Sequence, residues 1–284
     1  MLTAINGCEI FLERMGPRKG ISILAFHSPG GSVDSRYVKP IFKPFTDKYQ
    51  IVIFDLRGCG RSQEVGSPSF SQLSEDAEAI RRYFDLGKVV VAGSSGAGYL
   101  ALEYALGFPE SVRGLLLWST APAHTWTRTL KTHARRSEVK LHWDLFQRYW
   151  SGNCRSNEDL KMGIKEFNEL DGVLSPRRPA GRNQGKPYLH YKTHNYAMQE
   201  QSNGWSVESR LKEITIPTLV MHGDKDWIIP QDAGRKLAAG IPRSEFHVFK
   251  GASHWLHDED PQKFRLTIAR FLAKLETNNA THCA

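Results

Sequence analysis

Short, nearly continuous apolar runs recur along the chain, each closed by turn residues, at 21–26, 51–54, 89–92, 115–118, 218–222 and 246–249. Runs of this length, rich in Val, Ile, Leu and Phe, predict strands buried on both faces of a parallel sheet. Between several of them the apolar spacing switches to a helical period. Residues 71–84 carry Leu73, Ala77, Ile80 and Phe84, and 99–108 carry Leu100, Tyr104, Ala105 and Phe108. Residues 261–275 place Phe264, Ile268, Phe271, Leu272 and Leu275 on one face. The opening "MLTAINGCEIFLERMG" alternates like a strand. Alternating strand and helix implies right-handed crossovers and a three-layer α/β fold, a mostly parallel sheet with helices on both faces.

The alternation stops once. From 123 to 210 no buried strand is predicted, and the stretch reads as helical and aromatic ("LHWDLFQRYW", "DLKMGIKEFNEL") with a loop at "SPRRPAGRNQGKP". Such a length exceeds an ordinary connection, so it is expected to be an inserted helical cap. The core is then 1–122 followed by 211–284.

The segment "VVVAGSSGAGYLALEYA" (89–105) runs from a buried strand straight into a helix through two adjacent serines. A turn this tight strains its central residue and needs small residues two before and two after. Ser95 at the centre gives Gly93 and Ala97 as flanks; Ser94 gives Ala92 and Gly96. The Ser95 register is favoured, because Gly96 then follows the central residue and its N–H opens the helix. The spacing of "GSSGAG" fits neither a Lys-containing phosphate loop nor the dinucleotide fingerprint.

A serine hydroxyl needs a base and an orienting acid to act as a nucleophile. "VMHGDKDWIIP" closes one buried run with Asp224 and Asp226, and "VFKGASHWLHDEDP" closes the next with His254. On these segments the core resembles the α/β-hydrolase superfamily, and is most similar to its proline-iminopeptidase-like branch. "FDLRGCGRS" (54–62) is similar to that branch's turn after the fourth strand. The resemblance implies Ser95 as nucleophile, with Ala97 in place of the usual final Gly of GxSxG. It implies Asp226 as the acid with Asp224 a turn residue, and His254 as the base with His257 a neighbour. The departure lies in "ILAFHSPGGS", where the family has HGGPG. Aligned on Pro29–Gly30, Phe26 stands at the motif's His, His27 at the first Gly and Ser28 at the second. Ser28 would then supply an oxyanion N–H beside that of Gly96; shifting His27 onto the motif's His would put Pro29, which has no N–H, at that position.

Composition changes this picture little. The chain of 284 residues carries a formal charge of +8. Residues 123–210 hold 15 Lys and Arg against 9 Asp and Glu, a basic face that includes Arg128, Lys131, Arg135, Arg136 and Arg182. The basic residues alternate with acidic and aromatic ones and form no nucleic-acid motif, so no nucleic-acid partner is expected. Cys8, Cys59, Cys154 and Cys283 show no metal-ligand spacing and are expected to be reduced thiols. His190 and His194 have HxxxH spacing without an acidic third ligand, so no metal is expected. No window is apolar enough for a membrane span, and a cytoplasmic protein is expected.

The expected activity is therefore a serine hydrolase working through a Ser95 acyl-enzyme on an ester, lactone or related acyl bond of a small molecule, with no cofactor. Candidate substrate contacts are Gly30, Trp150, Glu200 and Trp227. Glu200 is the better candidate to anchor an amine should the chain be an N-terminal-proline aminopeptidase instead. A ligand receptor on the same fold is the rival from outside catalysis.

Overall fold

The computed structural model describes residues 1–66, 68–179 and 186–280. Cys283, Arg182 and part of the 175–187 loop lie outside them. The alternating N-terminal stretch is a hairpin rather than one strand. β1 (Leu2–Ile5) and β2 (Cys8–Met15) pair antiparallel across Asn6 and Gly7, whose φ angles are 47° and 72°. An Asn-Gly pair at positive φ matches the twist of a two-residue hairpin, which outweighs the continuous alternation.

The six apolar runs become β3 (Ser22–Ala25), β4 (Gln50–Phe54), β5 (Val89–Ser94), β6 (Val112–Trp118), β7 (Thr218–Gly223) and β8 (Ser244–Phe249). The sheet order is β1-β2-β4-β3-β5-β6-β7-β8, antiparallel from β1 through β2 to β4 and parallel from β4 onward. Helices α1 (Ser35–Phe42), α2 (Phe70–Tyr83) and α3 (Gly96–Gly107) follow β3, β4 and β5. Helices α4 (Thr127–Arg136), α5 (Trp143–Ser151), α6 (Asn157–Leu174) and α7 (Tyr191–Ser202) all lie between β6 and β7. Helix α8 (Gln231–Gly240) follows β7, and α9 (Leu256–Glu259) and α10 (Pro261–Ala280) follow β8. Among the described residues no helix is long and apolar enough to cross a membrane.

The period-two geometry of the strands sends alternate side chains to opposite faces. Ile23, Val90, Ala92 and Leu116 join α1 and α10 in one core; Leu24, Val89, Val91 and Leu115 join α2 and α3 in the other. Both faces are covered, which explains why the strands read as unbroken apolar runs rather than as alternation.

The helical insertion leaves and re-enters the sheet layer at one place. Ala123 bridges Ser206, the His124 amide donates to the Trp205 carbonyl (3.1 Å), and the Val207 amide donates to that of Pro122 (2.8 Å). Its seat is α3: Tyr99 stacks on Trp205 at 4.2 Å and accepts from the Trp126 indole at 2.6 Å, while the Trp205 indole donates to Glu103 at 2.7 Å. The helix that begins at the double serine thus also carries the insertion.

The turn after β4 is built on Asp55, fully buried beneath Arg61. Burial alone would raise its carboxyl, but Arg61 and Ser35 hold it down at about 2. A depressed carboxyl contributes stability that is complete above its unfolded value of about 4 and is lost as pH falls through the folded value. We expect about 2 kcal/mol of acid-labile stability from this residue. Urea melts between pH 7 and pH 2 should show a larger loss in the wild type than in Asp55→Asn, the variant starting from a lower plateau.

Candidate active site

Ser95 sits between β5 and α3 with φ 52° and ψ −127°, a conformation a non-glycine residue adopts only when its surroundings enforce it. They do. Its amide donates to the Trp118 carbonyl (3.2 Å), and its carbonyl accepts from the Gly98 amide (2.9 Å) and the Thr120 hydroxyl (2.8 Å). A methyl group on Gly93 would lie 2.3 Å from the Ala97 carbonyl oxygen, so no larger residue fits two positions before Ser95. Ser94, by contrast, ends β5 in ordinary extended backbone, and its carbonyl accepts from the Ser28 hydroxyl at 3.3 Å. The strained centre of the turn is Ser95.

His254, on the loop between β8 and α9, directs Nδ1 at Asp226 Oδ2 over 2.8 Å. Asp226, in the turn after β7, uses Oδ1 to accept from the amides of Ile228 (3.0 Å) and Ile229 (2.9 Å). Its side chain is fully buried. Burial by itself would raise the carboxyl, but His254 and His222 hold it well below the usual carboxylate range. An ionised Asp226 places the proton on Nδ1 of His254 and leaves Nε2 free to accept one. His222 supplies the second contact, its Nε2 lying 3.3 Å from Asp226 Oδ2 and 2.9 Å from the Ile229 carbonyl. Ser119, itself at φ 47°, donates its hydroxyl to the His254 carbonyl at 2.8 Å. Neither His222 nor Ser119 was expected from the sequence. Asp224 is a turn residue whose carboxylate accepts from the Gly251 amide at 2.6 Å.

Ser95 and His254 open into one cavity of about 150 Å³ that is open to solvent. Ser28 and Gly96 line it too. Gly96 is the first residue of α3, where backbone N–H groups have no partner within the helix. Ser28 is oriented through His27, which is buried and held neutral by that burial. Its Nε2 accepts from the Leu56 amide (2.9 Å), so Nδ1 carries the proton and donates to the Ser28 carbonyl (2.9 Å). The rest of the wall is largely apolar and aromatic, with Trp126, Tyr149, Trp150, Phe167 and Trp255 prominent. Among the described residues no Lys, Arg, Asp or Glu lines it.

Comparison with known proteins identifies the fold. A family model described as alpha/beta hydrolase fold matches residues 21–261. The chain belongs to that family. It is 27% identical over 285 residues to a proline iminopeptidase, PfmaB, of Pestalotiopsis fici, covering 96% of this chain and 98% of the relative. It is 26% identical to a 2-hydroxy-6-oxononadienedioate/2-hydroxy-6-oxononatrienedioate hydrolase of Escherichia coli, covering 84% and 81%. A thermophilic esterase from Thermogutta terrifontis superposes with a TM-score of 0.68 at 21% identity, covering 96% and 97%. The chain is a hydrolase of this fold.

The structure places two expected substrate contacts away from the cavity of Ser95. Trp227 does not line the cavity; Ile228 does. By capping the amides of Ile228 and Ile229, Asp226 sets the path of the turn, and the Trp227 indole is buried against Asp171 (3.1 Å) and Ser175 (3.1 Å). Glu200 lies in a neighbouring pocket with Cys59, Phe70 and Tyr196, which shares only Pro29 and Gly30 with the cavity of Ser95. Gly30 and Trp150 line the cavity as expected positions. His194 lines it as well. Its Nε2 donates to the Tyr149 carbonyl (2.9 Å), and burial pushes its pKa down to about 4, so it faces the cavity as a neutral ring. Burial pushes the Cys59 thiol up to about 12, which keeps it protonated and inert.

Asp171, near the end of α6, forms a contact the sequence did not announce. Its Oδ1 accepts from the indoles of both Trp227 (3.1 Å) and Trp255 (2.8 Å), the residues directly after Asp226 and His254. Its Oδ2 pairs with Arg178, whose guanidinium lies 3.6 Å over the Trp255 ring.

Proposed function

We propose that this hydrolase cleaves an ester, lactone or related acyl bond of a small, uncharged, ring-bearing molecule through a Ser95 acyl-enzyme. The observation that carries the reading is one cavity in which Ser95, His254, Ser28 and Gly96 meet with no charged side chain in its wall. Residues 123–210 act as a cap that supplies most of the aromatic wall; 1–122 and 211–284 form the catalytic core. Ser95 Oγ attacks the acyl carbon while His254 Nε2 takes its proton. Asp226 holds the imidazole in the tautomer that allows this and stabilises the imidazolium. The amides of Ser28 and Gly96 hold the oxyanion. His254 then returns the proton to the leaving oxygen as its bond to carbon breaks. Water, deprotonated by the same imidazole, attacks the acyl-enzyme and releases the acid and free Ser95.

The wall also weighs against two other readings suggested by relatives. A dioate substrate would bring carboxylates to a cavity without Lys or Arg. A prolyl substrate would bring an ammonium to one without Asp or Glu, Glu200 being in the adjoining pocket. An ammonium that finds no carboxylate forgoes its charge-assisted hydrogen bonds. An uncharged aryl ester is therefore expected to exceed a prolyl arylamide in kcat/KM by about 100-fold or more. A preference for the arylamide that disappears in Glu200→Gln would overturn this reading in favour of an aminopeptidase. Failure to turn over any ester more than once would favour a receptor.

A further inference from the structure

Gln201, in the last turn of α7, is only 5% exposed and lines the Ser95 cavity. Among the described residues neither atom of its amide has a hydrogen-bond partner. The amide lines a cavity open to solvent, where a ligand atom can meet it. Its position says which atom. A methyl built on Gly96 would lie 3.5 Å from Gln201 Nε2, 3.6 Å from its Oε1 and 3.6 Å from Pro29 Cδ. The amide therefore lies in van der Waals contact with the Cβ position of the residue after Ser95. It faces the gap between the Ser28–Pro29 segment and the start of α3, the two segments assigned to the oxyanion.

We propose that Gln201 donates a hydrogen bond from Nε2 to the substrate's acyl oxygen, a side-chain donor carried by the helical insertion beside the two backbone donors of the core. The inference rests on the Ser95 acyl-enzyme. An amide can present either end, and a developing oxyanion selects the NH2 group. The insertion then takes part in the chemistry as well as in enclosing the substrate: a substrate bound with α7 displaced would find two donors instead of three.

The test is steady-state kinetics of Gln201→Met and Gln201→Glu on an activated aryl ester, alongside fluorophosphonate labelling of the wild type. Met keeps most of the volume and removes the donor; Glu keeps the shape and replaces the donor with a negative charge. Gln201→Met is expected to lower kcat about 100-fold, the scale of one lost oxyanion donor, with KM changed less than about threefold. Gln201→Glu should lose more, because a carboxylate repels the oxyanion. If Met disturbs packing, as a melting curve would show, the Glu variant carries the test. A rise in KM at constant kcat would overturn the proposal by placing Gln201 on a ground-state contact. Unchanged kcat and KM in both variants would make it a packing residue. Absence of labelling at Ser95 in the wild type would instead bring down the acyl-enzyme itself, so the two failures are distinguishable.

Discussion

Ser95→Ala is expected to remove turnover of any acyl substrate by about 10⁶-fold, the size of effect found when the nucleophile of a triad is deleted. The same change should abolish covalent labelling by a fluorophosphonate, while Ser94→Ala keeps both activities to a substantial degree. The asymmetry follows from the backbone. Ser95 is held at φ 52° by the Trp118 carbonyl, the Gly98 amide and the Thr120 hydroxyl, which project it from the turn into the cavity. Ser94 also touches the cavity, but it belongs to the last position of β5. Mass spectrometry of the labelled peptide decides the matter: an adduct on Ser94 would transfer the nucleophile by one residue and remove Gly96 from the oxyanion site.

Asp226→Asn is expected to cost about 10⁴-fold in kcat with the fold retained. Its Oδ1 contacts to the amides of Ile228 and Ile229 survive in an asparagine, so the turn keeps its path. What changes is the atom opposite His254 Nδ1. An NH2 group there would stabilise the tautomer protonated on Nε2, which cannot accept from Ser95. His222 adds to the penalty, since its Nε2–H would meet the same NH2 in place of a carboxylate oxygen 3.3 Å away. Asp224→Asn should change kcat little, because its contact with the Gly251 amide needs only an oxygen. Comparable losses in both variants would show that the turn as a whole, and not the Asp226 carboxylate, is responsible.

The parallel strands were legible because each is covered on both faces, so their apolar runs are unbroken. Ser95, Asp226 and His254, the proposed nucleophile, acid and base, stand out in the sequence because each lies just beyond the carboxyl end of such a strand. The hairpin was not read, since Asn6–Gly7 interrupts the alternation without changing its phase. The cavity wall was harder for a related reason. Trp227 and Ile228 are adjacent in the turn, and only the hydrogen bonds of Asp226 decide which of them turns inward. In "NYAMQEQSNGW" the acidic Glu200 drew attention as a possible anchor, while its neutral neighbour Gln201 is the residue that reaches the cavity. One step along a helix rotates a side chain by about 100°, and sequence alone does not fix the starting angle. Asp171 was invisible for a third reason: its indole partners lie 56 and 84 residues away.

That same aspartate limits how such enzymes can be recombined. Transplanting residues 123–210 from a relative lacking acceptors at positions 171 and 175 would strand two indole N–H groups against the turns of Asp226 and His254. Each stranded donor costs about 1–3 kcal/mol, and the relief available is for Trp227 and Trp255 to move, carrying Asp226 and His254 with them. The helical insertion of this chain is thus not a freely exchangeable cassette. Drift at 171, 227 and 255 should be concerted across a lineage, and a chimera that ignores the trio should fold with a disordered Asp226–His254 pair rather than with a new specificity.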